Sequence, residues 1–108
     1  MNKNELETKA VKAFENLTSA RTALFTAAEV TIMEKFLLEQ QRAEVTASGK
    51  IDGKNAETRE AQVREILADQ YLKLATAENT ERLARRDFDL ASIEADAVRT
   101  LVRIAELP

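Results

Sequence analysis

Apolar residues recur along this chain at alternating steps of four and three, and two such series cover most of its length. The clearer one runs through Val63, Leu67, Gln70, Leu74, Ala77, Glu81, Ala84, Phe88, Ala91, Ala95, Val98, Val102 and Ala105, apolar at every position except Gln70 and Glu81. A sustained seven-residue repeat implies a helix whose seam winds left-handed around a neighbour. A matching series precedes it: Leu6, Ala10, Ala13, Leu17, Ala20, Leu24, Ala27, Thr31, Glu34, Leu38, Gln41 and Val45. Between them lies Ser48-Gly49-Lys50-Ile51-Asp52-Gly53-Lys54-Asn55, which holds both glycines of the chain and is its break signal. The pattern predicts a helix over about 4–47, a turn over 48–55 and a helix over about 56–106. Asn55 is the expected N-cap of the second helix, with Glu57 and Glu60 near its positive end.

Folding back at the turn makes the two series antiparallel. One register sets Ala13 beside Ala91, Ala20 beside Ala84, Ala27 beside Ala77 and Glu34 beside Gln70. Larger residues alternate with these layers, Leu17 at Phe88, Leu24 at Glu81, Thr31 at Leu74 and Leu38 at Leu67. Small layers let helix axes approach closely, and a carboxylate at the seam finds a hydrogen-bond donor in Gln70. The expected fold is therefore all-α, a long antiparallel helical hairpin with a coiled-coil-like seam. At 1.5 Å per residue its rods measure roughly 65 and 75 Å, an elongated object. A rival reading breaks the first helix near Asn16-Leu17-Thr18-Ser19 and gives a three-helix bundle.

Composition narrows the chemistry. The 108 residues suit a single domain. Of 48 apolar residues 18 are Ala, so few side chains are large enough to fill a core. There is no Cys and no His. This removes disulfides, thiolate sites, the cysteine nucleophile and the commonest general base and metal ligand. No catalytic residue, metal or cofactor is expected, and the chain is not expected to be an enzyme. Charges in Met-Asn-Lys-Asn-Glu-Leu-Glu occupy the place of a signal peptide's apolar run. The longest uncharged stretch, Thr22 to Ala28, is too short for a membrane span. The expected location is cytoplasmic. Net charge is −3, without a basic tail to attract nucleic acid in bulk.

A second apolar surface lies outside the seam. It gathers Phe14, Phe25, Ile32 and Phe36 from the first helix and Leu90, Ala97, Leu101 and Ile104 from the second. A two-helix hairpin has no third layer to cover them, and large exposed apolar patches mark interfaces. Homo-oligomerisation into a helical bundle, most simply as a dimer, is the expected solution.

Polar candidates are sparser. The turn has the look of a phosphate-binding loop, but only three residues separate its glycines and Asn follows the Lys, against the pattern of such loops. A weaker anion site remains conceivable where Lys50, Lys54, Asn55 and Arg59 surround a helix N-terminus, against a plain solvated turn. Arg64, Tyr71, Arg85, Ser92 and Arg99 share a heptad stripe that would suit a ligand groove at an oligomer interface, against intrahelical ion pairing.

The segment Gly53-Lys54-Asn55-Ala56-Glu57-Thr58-Arg59-Glu60-Ala61, set between long Ala/Glu-rich helices, resembles small uncharacterised helical proteins encoded by bacteriophages. In outline the layout is also similar to the small recombination mediators of T-even-like phages. That resemblance implies an oligomeric helical protein that helps load a recombinase on single-stranded DNA, in the host cytoplasm. It carries no binding residue across. Three functions stay open: an oligomeric helical protein that binds a host or viral protein, an accessory factor for single-stranded nucleic acid, and a binder of a small anionic, nucleotide-like ligand between subunits.

Overall fold

The computed structural model describes residues 2–108. Three helices make up the described chain: α1 Lys3–Ala47, α2 Ala56–Ile66 and α3 Ala68–Ala105. None of them is long and apolar enough to cross a membrane.

The start of α1 is capped by Asn2, whose side-chain oxygen accepts from the Glu5 amide at 2.8 Å. The helix then runs 45 residues. The break considered at Asn16–Ser19 does not occur. Just beyond that segment Thr22 Oγ1 donates to the Thr18 carbonyl at 3.0 Å, a bond back onto its own helix. Gly49, in the left-handed region at φ +80°, ends the helix after Ala47.

The expected second helix is divided. Leu67 sits at φ −101°, ψ 23° between α2 and α3. Its amide still reaches the Val63 carbonyl at 2.9 Å, and its own carbonyl accepts from Tyr71 at 3.0 Å. The interruption is a local irregularity, with no reversal of the chain. Neither Gly nor Pro stands there, so the sequence carries no punctuation for it. Leu67 is held by burial with Leu38 and Val63.

The seam series describe the buried positions well. All twelve α1 positions from Leu6 to Val45 are buried or half-buried, and so are the thirteen in α2 and α3 apart from Ala105. The chain divides into two compact units. The first comprises the chain up to Thr26 with Glu81–Pro108. Its core is Ala13, Ala95 and Val98, with Ala10, Leu17 and Val102 packed against it. Leu6 and Glu7 line a cleft with Val102 and Ala105, so the two helices run antiparallel here. The second unit, Ala27–Thr80, is built on Leu38, Val63 and Leu67 with Val45, Ile51, Tyr71 and Leu74 around them.

Register agrees with expectation at Glu34 and Leu38 in the second unit and departs from it at Ala13 in the first. Gln70 Nε2 donates to Glu34 Oε2 at 2.6 Å and to the Glu34 carbonyl at 3.3 Å. Leu38 and Leu67 share one cluster. Ala13, however, packs with Ala95 and Val98, where Ala91 was expected. Ala91 and Ala95 are both small seam residues one turn apart, so a slip between them preserves a small-on-small layer.

Candidate functional site

The turn is closed by its own side chains. Asn55 caps α2 as expected, accepting from the Thr58 amide at 2.8 Å. Gln62 Oε1 accepts from the amides of Gly53 at 2.9 Å and Asp52 at 3.1 Å, while its Nε2 donates to Asp52 Oδ1 at 2.5 Å. Arg59 donates to the Gly53 carbonyl at 3.2 Å. A Cβ on Gly53 would lie 2.8 Å from the Arg59 amide nitrogen, so the turn needs glycine there. Several donors of the turn are engaged within it, the Asp52 and Gly53 amides by Gln62 and the Thr58 amide by Asn55. Lys50 and Lys54 remain exposed on the rim of this turn.

Beside the turn lies a polar cluster drawn from all three helices. Arg42 of α1 forks onto Glu60 of α2, with Nη1 to Oε1 at 2.9 Å and Nη2 to Oε2 at 2.7 Å. The same guanidinium donates to the Tyr71 hydroxyl of α3. Arg64 reaches Glu60 at 3.2 Å and lies 4.9 Å over the Tyr71 ring. Its hydrogen bond from Arg42 holds the Glu60 carboxyl below the usual glutamate range. In return that bond raises the Arg42 guanidinium above its ordinary value, with Tyr71 adding to it against some desolvation. The heptad stripe places Arg64 with Tyr71, and Glu60 is expected near the start of the second helix, but the sequence gives no role to Arg42 and no partner for Glu60 on α1. The Glu60–Arg64 pair was visible as an i, i+4 spacing. Arg42 was not, because it stands one place off the seam and its partners depend on the antiparallel register.

The rest of the basic stripe, in the first unit, is tied to acids. Arg85 pairs with Glu81 at 3.6 Å and Arg99 with Asp96 at 3.4 Å. Among the described residues, no group of three or more metal-ligating side chains comes together.

The apolar residues outside the seam stand open. Phe14, Phe25, Ile32 and Phe36 are 52%, 59%, 68% and 64% exposed. Leu90, Leu101 and Ile104 are exposed as well, as is the smaller Ala97. Within the first unit the two sets occupy different sides. The Arg99 guanidinium lies 5.9 Å over the Phe14 ring. At roughly 100° per residue, Arg99 points about half a turn away from Leu90, Ala97 and Leu101 on α3. Phe14 therefore belongs to the side opposite that leucine stripe. What reads in sequence as one patch is two.

No family model matches this chain, and no curated protein or solved structure matches it either.

Proposed function

We propose that this chain is a non-enzymatic interaction protein that works as a homo-oligomer of helical hairpins and binds a protein partner through that assembly. The resemblance to phage-encoded helical proteins suggests an accessory role of this type. One observation carries the reading: three of the four phenylalanines, with Ile32, stand more than half exposed along α1. Burying one such side chain is worth about 1.5–3 kcal/mol, while nine of the 25 seam positions are alanine. Arg85 and Arg99, which a phosphate-binding reading would use, are paired with Glu81 and Asp96.

The test is association in solution. Light scattering is expected to give more than one chain per particle at micromolar concentration, and the melting temperature is expected to rise with concentration by mass action. Phe25→Asp with Ile32→Asp places unpaired charges in the buried surface and is expected to give a monomeric or poorly folded species. A wild-type chain that stays folded and monomeric would sink this reading.

A further inference from the structure

We infer that α2 and the turn before it form a flap, hinged at Gly49 and Leu67, which Arg42 latches onto the rest of the second unit. Three observations carry it. The flap is closed on itself. Gln62 Oε1 accepts from the Asp52 and Gly53 amides, Asn55 accepts from the Thr58 amide, and Arg59 donates to the Gly53 carbonyl, so residues 50–66 move together. Its two ends are points where the regular backbone lapses. Gly49 has φ +80°, with open space where a Cβ would stand, and Leu67, at φ −101° and ψ 23°, belongs to neither α2 nor α3. Its anchorage is thin. Val63 is the one buried residue among the eleven of α2, joined at the core by half-buried Ile51 of the turn. A helix of this length is marginal by itself in water, whereas α1 and α3 run 45 and 38 residues.

Arg42 is the latch because of where its partners stand. Its guanidinium forks onto Glu60, on the flap, at 2.9 and 2.7 Å, and donates to the Tyr71 hydroxyl beyond the hinge. One side chain of α1 thus spans the break at Leu67. Arg64, lying over the Tyr71 ring, spans it again from the flap. The residues around the break, Arg64-Glu65-Ile66-Leu67-Ala68-Asp69-Gln70, are mostly good helix formers, so contacts made across the break hold it, and local preference does not. The forked side chains are 34% and 41% exposed, which lets water compete for them, and segments with few buried contacts are the first to open. Opening swings Val63 away from Leu38 and Leu67 and uncovers both, while α1 and α3 stay folded. The motion lies within one chain and needs no second copy.

Hydrogen exchange on the full chain, read by mass spectrometry, tests the flap. Amides of 56–66 are expected to exchange as one group, faster than those of 30–40 in α1 and 72–80 in α3. Their exchange should depend little on sub-denaturing urea, because a local opening exposes little surface. Arg42→Ala is expected to speed that group about fivefold, the scale of an exposed ion pair, and to leave the other two unchanged. The chain has no native cysteine, so thiol labelling gives a second readout. Arg42→Ala is expected to accelerate labelling of Val63→Cys and not of Val98→Cys in the first unit. Exchange of 56–66 in step with the other two groups, at the same steep urea dependence, would overturn the flap. A separate 56–66 group that Arg42→Ala leaves unchanged would overturn the latch. Equal acceleration at Val63→Cys and Val98→Cys would show global unfolding and overturn both.

Discussion

The two units of this chain use one seam pattern and hold it in different ways. In Ala27–Thr80 the seam is reinforced by groups that accept few partners: Gln70 on Glu34, Arg42 forked on Glu60, Gln62 on the turn amides and a Leu38–Val63–Leu67 core. In the other unit the core is Ala13, Ala95 and Val98. Hydrogen bonds such as Thr22 to Thr18 and Thr100 to Asp96 stay within one turn of a helix. Branched and polar partners specify one alignment because displacing them leaves a void or an unpaired group. Alanine layers tolerate a slip of a turn, since alanine meets alanine again. The first unit accordingly has the weaker intrinsic core.

Core truncation gives the largest expected contrast. Leu38→Ala removes a side chain only 8% exposed and is expected to cost about 2–4 kcal/mol in urea denaturation. Val98→Ala in the other unit removes two methyl groups and is expected to cost about 1–2 kcal/mol, at roughly 0.8 kcal/mol per buried carbon. Equal losses would break the comparison.

The register of the alanine unit is the next point to sharpen. Cysteines at Ala13 and Ala95 are expected to cross-link within one chain under dilute oxidising conditions, while cysteines at Ala13 and Ala91 are expected to link slowly or not at all. The reverse result would restore the register read from sequence and remove the difference between the units.

That register also marks where the sequence stops being legible. Helix content, the turn, the Asn55 cap and the seam residues follow from period and capping chemistry, which are local. Glu34 against Gln70 was readable because two polar interruptions of apolar series had to find each other. Ala13 against Ala95 was not, because nothing distinguishes one alanine of the seam from the next. The irregularity at Leu67 had no glycine or proline to announce it. Arg42 escaped notice for a related reason: its role comes from two helices distant in sequence, and its own neighbourhood is that of any solvated arginine. The two exposed stripes were each legible. That they face different ways required knowing which side of α3 carries the Arg99–Phe14 contact.

The smallest expected effect concerns the Arg42–Glu60 pair, and its value lies in its pH dependence. Glu60 titrates below its ordinary range in the fold, chiefly through its hydrogen bond from Arg42. A carboxyl whose folded pKa is depressed adds stability that is present above its unfolded value, about 4.3 for glutamate, and is lost as pH falls through the lowered folded value. Arg42 shifts upward, far above any pH at which the fold would be studied, so it adds no slope of its own in the acid range. The pair is worth little in absolute terms, because its side chains are 34% and 41% exposed and exposed ion pairs are weak. Its signature is the difference between wild type and Glu60→Gln. That difference should favour wild type and stay level from neutral pH down to about pH 5, then shrink toward zero through the acid limb. Urea midpoints measured across that range provide the check. A gap that persists unchanged into acid would mean that Glu60 acts through packing or the neutral hydrogen bond, and the ionic clamp would no longer distinguish this unit from the other.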